Sequence, residues 1–223
     1  MSQIADEEKT KKIWQSIKRY LLDPKTGGIH LNTPILSPKM DMGRAFGFSY
    51  GDKENGSYFS HMNVMLAYAL YQQDFIKEGR CVISSLYNMS RGEKSKIYPL
   101  LPEYFNNQAQ GLYSYLTGSA SWLILTLFEQ VLGIQFQKGD LKINPKLMSE
   151  QFNNKPISCC FYLQGKTIEV IFKKVSRSWG ILKISKLLLQ GQIIPPSNKN
   201  YIIARRKLLK SKNKRVTVTV ELS

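Results

Sequence analysis

Lys53-Glu54-Asn55-Gly56-Ser57-Tyr58-Phe59-Ser60-His61 runs directly into the apolar stretch Met62 to Leu70, and it carries one of only two histidines among 223 residues. A lysine, a carboxylate, an amide, hydroxyls and an imidazole stand around a single glycine. Glycine lets the backbone turn and approach a ligand closely. Ser57 or Ser60 is a candidate cap for the helix that follows. His61 then falls in the first turn, where free N–H groups and the helix dipole favour an anion. The same residues also read as a capped helix start with a solvated charge pair.

Outward from this stretch, the composition sets the class. Hydrophobic content of 43% and aromatic content of 11% suffice for a folded core. A net charge of +16 raises nucleic acid or an anionic membrane as partners. Most aromatics, however, fall at core-like positions, and a nucleic-acid surface needs them exposed among the basic residues. Nucleic acid is therefore an unfavoured partner. The three cysteines, Cys81 and the neighbours Cys159 and Cys160, make neither a disulfide framework nor a metal-ligand spacing. They suit a reducing compartment. The first ten residues are polar and no apolar run is long enough to span a bilayer, so a soluble, cytoplasmic chain without a membrane partner is expected.

Apolar spacing predicts helices over about 4–22, 60–73 and 75–90 and, most strongly, over 120–132. Pro34, Pro38 and the glycines at 43, 47 and 51 make residues 29–52 a long loop, which Phe46, Phe48 and Tyr50 mark as ordered. His30 within it reads as structural. The loop from Tyr98 to Asn107 is dense in aromatics and amides, a composition suited to a sugar. Leu116-Thr117-Gly118-Ser119-Ala120-Ser121-Trp122 is a second helix start built for an anion. Thr117 is the cap, Gly118 exposes an N–H, and Ser119 and Ser121 add hydroxyls. After Gly139 the pattern becomes strand-like: 157–163 and 167–173 around a turn at Gln164-Gly165-Lys166, then 182–189, 201–203 and 216–222. The fold class expected is mainly α followed by β. The helical domain spans residues 1–140, and a β-sandwich-like domain spans 141–223 with a basic run, 199–215, read as a solvated hairpin.

Several chemistries lack their residues. Ser60 and His61 are adjacent and cannot face each other on a helix. The nucleophile elbow, the phosphate-binding loop and the dinucleotide fingerprint are all missing from the sequence. No metal site is expected from histidines thirty residues apart in unlike contexts. Two hydroxyl-rich helix starts beside aromatic and carboxylate loops suit an inorganic phosphate next to a sugar.

Lys53-Glu54-Asn55-Gly56 with Phe59 and His61 resembles the K-E-N-G-x-x-F-x-H motif of the inverting glycoside phosphorylases of glycoside hydrolase family 94, the cellobiose phosphorylase type. Tyr115 to Trp122 resembles that family's W-L-T-G-T-A-S-W motif, with Tyr115 in place of tryptophan and Ser119 in place of threonine. Gly133-Ile134 and Leu141-Lys142-Ile143-Asn144-Pro145 resemble the passage leading into its C-terminal β domain. The resemblance covers roughly residues 10–175 and implies the C-terminal part of an (α/α)6 barrel before the β domain. By resemblance, His61, Thr117 and Gly118 hold the phosphate that attacks the anomeric carbon. Lys53, and with it Glu54, Asn55 and Glu103, lies toward the sugar.

The implied substrates are a β-glucoside or β-glucan oligosaccharide and inorganic phosphate as co-substrate, with no cofactor. The family's catalytic aspartate and phosphate-binding arginine lie well before the K-E-N-G motif, and no aspartate here stands in a matching context. The general acid is thus absent, and no catalytic residue is assigned. The chain reads as a C-terminal piece, inactive alone, with a separate chain carrying the missing barrel half as a partner. The alternatives are an inactive carbohydrate- or phosphate-binding module and a basic nucleic-acid-binding protein.

Overall fold

The computed structural model describes residues 4–35, 37, 39–114, 117–197 and 200–223. Tyr115 and Leu116 of the second motif, and Lys199 of the basic run, lie outside the described residues. Five α-helices and eleven strands in three sheets are found among the rest, helical first and mostly β after. The chain divides into two compact units, Met1–Thr126 and Leu127–Ser223.

The first unit begins with α1, Glu7–Tyr20. Asp6 caps it by accepting from the Lys9 N–H at 2.8 Å, and acids in the first turn with bases in the last complement the helix dipole. Trp14 and Ile17 bury against Ile29, Ala67, Leu70 and Val82. Ile13 and Tyr20, though apolar and at helical spacing with these residues, stay exposed. Next, β1 (Tyr58–Phe59) leads straight into α2 (Ser60–Gln72), followed by α3 (Ile76–Arg91). Ala67 and Leu70 of α2 enter the first cluster. Val64 enters a second with Tyr58, Leu86, Met89 and Phe105. A helix held between two clusters has no single apolar stripe, which is why its pattern is apolar nearly all round.

Strands β2 (Tyr104–Phe105) and β3 (Gly111–Leu112) complete a small antiparallel sheet of order β1-β2-β3. Helix α4, Gly118–Leu125, is shorter than its apolar spacing predicts, because it passes into a π-helical segment, Thr126–Val131. The Thr126 hydroxyl donates to the Trp122 carbonyl at 2.7 Å, a local bond that competes with the regular helix ladder at this junction.

In the second unit, β4 (Ile134–Gln137) and β5 (Asp140–Ile143) pair with β10 (Tyr201–Ile203). A five-stranded sheet has the order β6-β7-β11-β8-β9. It is formed by β6 (Ile157–Leu163), β7 (Lys166–Lys174), β8 (Ile184–Leu189), β9 (Gln192–Ile193) and β11 (Arg215–Leu222). β7 and β11 run parallel in register, Val170 opposite Val218, at its centre. Ile168, Val170 and Phe172 alternate with more exposed residues, as do Val216, Val218, Val220 and Leu222, the period-two signature of one buried face.

The basic run corrects the sequence reading. Residues Arg205–Lys210 form a short helix, α5, and not a hairpin. Leu208 is fully buried and anchors it, while the Arg205 N–H donates to Asp140 at 2.8 Å. The lone apolar anchor inside a charged run outweighed the turn-like composition.

Phe172→Ala is expected to cost about 3–5 kcal/mol, the usual penalty for emptying a buried aromatic position. Ile193→Ala, on the edge strand and 63% exposed, should stay within about 0.5 kcal/mol. Denaturant titration of both variants checks the pair, and equal losses would contradict the assigned core.

Candidate functional site

The turn at Lys53–Gly56 is built by its own backbone. The Asn55 N–H donates to the Asp52 carbonyl at 3.0 Å, and Gly51 donates to the Asn55 carbonyl at 2.6 Å. Lys53 and Gly56 both take positive φ, 44° and 72°. A side chain at Gly56 would also strike the Tyr50 ring, whose nearest atom is 1.9 Å from where a Cβ would sit. Glycine is needed here for both reasons.

Asn55 is fully buried. Its amide donates to the carbonyls of Phe48 (2.7 Å) and Ile35 (3.4 Å), and its oxygen accepts from Asn32 at 3.3 Å. Asn32 in turn accepts from the Gly56 N–H at 2.7 Å. Ser57, a candidate cap in the sequence, donates to the Lys53 carbonyl instead. The Lys53 ammonium lies over the Tyr113 ring at 4.2 Å and 5.7 Å from the Phe48 ring centre, a cation–π clamp. Glu54 is half-buried, and its Oε2 is enclosed without a hydrogen-bond partner among the described residues.

His30 fixes this turn from below. Its Nδ1 and the Gly56 carbonyl are 2.5 Å apart, and its ring stacks on Tyr58 with centroids 4.3 Å apart. The Tyr58 hydroxyl donates to Asp23 at 2.6 Å. Burial pushes the Tyr58 phenol well above its ordinary range, and the bond to Asp23 adds to the shift. At Asp23, burial works against ionisation. Hydrogen bonds from Tyr58, the Lys25 N–H and Thr26, with the nearby His30, more than offset it, leaving the carboxyl below its usual value.

Helix α2 then starts without a side-chain cap. Phe59 occupies the cap position, and Ser60 is the first helical residue. The Ser60 N–H donates to the Glu103 carbonyl at 2.8 Å, and the Glu103 N–H donates to Tyr113 at 2.9 Å. Glu103 is thereby tied to the helix start through its backbone. The amides of the neighbouring loop serve the fold. Asn107 donates to the Tyr50 carbonyl at 3.0 Å, and the Asn106 oxygen accepts from the N–H groups of Gln108 and Gln110.

Helix α4 starts with the expected cap, Thr117 accepting from the Ser119 N–H at 3.1 Å. Its first residue, Gly118, lies against the His61 imidazole. A Cβ at Gly118 would be 2.9 Å from the ring's Cε1 and 3.2 Å from each ring nitrogen. Glycine is required at this position for space. Trp122, one turn further along α4, stands 6.2 Å from the His61 ring centre and packs edge-on against Tyr68 of α2. The two helix starts, separated by 56 residues between His61 and Thr117 in the sequence, thus meet at one place. Buried without a hydrogen-bond partner among the described residues are the Ser60 hydroxyl and the His61 Nε2 at the start of α2 and the Ser119 hydroxyl at the start of α4.

Of the predicted site residues, the fold brings His61, Thr117 and Gly118 together and joins Glu103 to the same helix start. Lys53 and Glu54 stand on the turn before it. Asn55 points into the loop. Sequence reasoning overlooked Asn32 and Asp23, whose polar side chains hold the turn across 24 and 35 residues. Only the unusual density of Asn, Asp and Gly in 23–56 hinted at such ties. Among the described residues, no cluster of three metal-ligating side chains occurs and no helix is long and apolar enough to cross a membrane.

Residues 1–88 match the family described as the Glycosyl hydrolase 94 superfamily, catalytic domain. The Thr117–Trp122 stretch lies beyond that match. The cyclic beta-(1,2)-glucan synthase NdvB of Rhizobium meliloti (strain 1021) is 27% identical over 157 residues, covering 65% of this chain. The chain spans 6% of that relative's length.

The depressed Asp23 pKa carries a sign. A carboxyl whose folded value lies below its unfolded one, about 3.9, stabilises the fold above that pH. The contribution is lost as pH falls through the folded value. Asp23→Asn should therefore melt below the parent at neutral pH, and the gap should narrow as the pH falls below the ordinary carboxylate value of about 3.9. Melting temperatures from pH 7 to pH 2 check this. A gap independent of pH would show that Asp23 acts without its charge.

Proposed function

We propose, from the premise that this chain belongs to the glycosyl hydrolase 94 superfamily through residues 1–88, that it supplies the phosphate-side half of a β-glucan-acting phosphorylase site. The observation that carries the proposal is the set of buried, unpartnered polar atoms at the two meeting helix starts, the His61 Nε2 and the Ser60 and Ser119 hydroxyls. Buried polar groups normally have partners, and an oxyanion held between the two helix N-termini would supply one to the His61 Nε2. Thr117 fits as a further ligand, since its hydroxyl can donate to phosphate while its oxygen accepts from Ser119. Gly118 adds a backbone N–H and the space that lets His61 sit close.

On the sugar side, the unpartnered Glu54 carboxylate suits hydroxyl hydrogen bonds, with Lys53 held beside it over Tyr113 and Glu103 close by. Asn55 serves as a positioning residue, since its amide is committed to the loop. The name of the relative NdvB, a cyclic beta-(1,2)-glucan synthase, favours a β-linked glucan over other saccharides.

In the reaction, a phosphate oxygen forms a bond to the anomeric carbon from the face opposite the leaving group. The glycosidic C–O bond breaks, and its electron pair and a proton go to the leaving oxygen. A sugar 1-phosphate of inverted configuration and a shortened saccharide result. This chain orients the phosphate and shields it from water. The proton comes from an acid on polypeptide outside these 223 residues, in a partner chain or a further segment. The helices α2 to α4 then fit the end of an (α/α)6 barrel, and the sheets of residues 127–223 fit its sandwich-like β domain. The unpaired cysteines suit the cytoplasm. That no aspartate here stands in the context of the family's catalytic acid also supports a second reading, a phosphate- and carbohydrate-binding module without activity.

Inorganic phosphate binding to the chain, measured by calorimetry, tests the clamp under both readings. Thr117→Val is expected to weaken it roughly tenfold to hundredfold, the loss of one hydrogen bond to a charged ligand. Thr117→Ser, which keeps the hydroxyl, should bind as the parent does. Unchanged phosphate affinity in the valine variant would sink the assignment.

A further inference from the structure

A cavity of about 880 Å³ lies in the second unit, between the loop Ser149–Pro156 and the loop that follows β7. Its size falls within the range of roughly 300–1,000 Å³ typical of small-ligand sites. The proposed phosphorolytic chemistry makes no use of it.

Three properties give the cavity a chemistry. First, its charge is one-sided, with Lys155, Lys173, Lys174 and Arg177 against the single acid Glu150. Second, Trp179 on its wall is 82% exposed, and the Lys174 ammonium lies 5.3 Å from its ring centre. A tryptophan exposed to that degree gains nothing from the core, and with a cation beside it the ring offers a stacking face. Third, the exposed amides Asn153 and Asn154 both take positive φ, 43° and 59°, on the opposite loop.

The walls are tied to one another. The Ser149 N–H donates to the Gly180 carbonyl at 2.9 Å, and the Gly180 N–H donates to the Ser149 hydroxyl at 3.1 Å. Met148 and Ile181 form a β-bridge beside them. Phe152, next to the amides in the chain, is buried. The cleft is therefore a shaped feature of the β unit.

We propose that this cleft is a second binding site, for a short saccharide carrying an anionic substituent such as a phosphate ester. Trp179 takes the C–H face of one sugar ring, Asn153 and Asn154 bond its hydroxyls, and Lys155, Lys173 and Arg177 take the anionic group. A single-stranded nucleic acid fits less well. Its binding draws on successive aromatic platforms along a basic groove, and Trp179 is the one aromatic side chain exposed among the lining residues.

The test is a titration of the intact chain with cellobiose 6′-phosphate, cellobiose, inorganic phosphate and an eight-residue oligothymidylate. Calorimetry gives the affinities, and the difference in tryptophan fluorescence between the parent and Trp179→Ala isolates Trp179 from Trp14 and Trp122. Cellobiose 6′-phosphate should bind and quench fluorescence, with cellobiose weaker by about tenfold or more, the value of a charged hydrogen bond. Trp179→Ala should lose roughly tenfold in affinity, and Arg177→Gln about tenfold to hundredfold. Both residues are exposed, so melting temperatures should match the parent.

Thr117→Val should leave this binding intact, which separates it from the clamp of α2 and α4. The affinity of inorganic phosphate for that clamp should not respond to Trp179→Ala. Unchanged cellobiose 6′-phosphate affinity in both cleft variants would overturn the proposal. So would oligothymidylate binding tighter than the sugar phosphate with a steep dependence on salt, which would make the cleft a nucleic-acid site.

Discussion

The contact between the His61 imidazole and the bare backbone of Gly118 is the constraint on which the candidate site depends. A ring nitrogen 3.2 Å from the place of a missing Cβ means that the starts of α2 and α4 approach as closely as a side chain permits. A side chain at 118 would have to displace the His61 ring from this contact. Trp122 closes the other side of the ring and links it to Tyr68 on α2. The starts of two helices meet at the His61–Gly118 contact as a result, each with a buried, unpartnered serine hydroxyl among the described residues. A dipole end aimed at an anion is common, and two with unpartnered buried side chains are a far narrower arrangement.

The loop before α2 stores its order in polar contacts, because it has little apolar surface to bury. Asn55 and Asn32 hold the turn from within, and His30 holds the Gly56 carbonyl. The Tyr58–Asp23 bond ties the same region to the end of α1. Such side-chain networks are strong when every member is satisfied and lose much when one is removed. Rigidity of this kind suits the role proposed for Lys53 and Glu54, since recognition depends on fixed geometry. The second unit relies on a different principle. Its central parallel pair, β7 and β11, buries one aliphatic face and leaves the other polar.

Much of this was legible in the residues themselves. The cap at Thr117, the helix after Phe59, the strands at 157–163 and 216–222 and the turn at Gln164 each rest on local chemistry, which a sequence displays openly. What escaped depends on partners far along the chain. Ser60 looked like a cap, yet it is the first helical residue because its N–H finds the Glu103 carbonyl. Asn55 looked ready for a sugar, yet loop carbonyls from residues 35 and 48 engage it. The π-helical segment after α4 follows from one threonine bond, and α5 from one buried leucine, signals too small to outweigh composition. The cleft around Trp179 was invisible because its two loops are brought together by Ser149 and Gly180, 31 residues apart.

The central claim is that His61 faces an oxyanion, and the chain's two histidines make it directly measurable. In ¹⁵N NMR of histidine-labelled protein, titration with inorganic phosphate should shift and saturate the Nε2 signal of His61. His30, whose Nδ1 is occupied by the Gly56 carbonyl, should stay in place as an internal reference. A His61 signal that does not move while phosphate binds elsewhere, or a shift of His30 alone, would contradict the account.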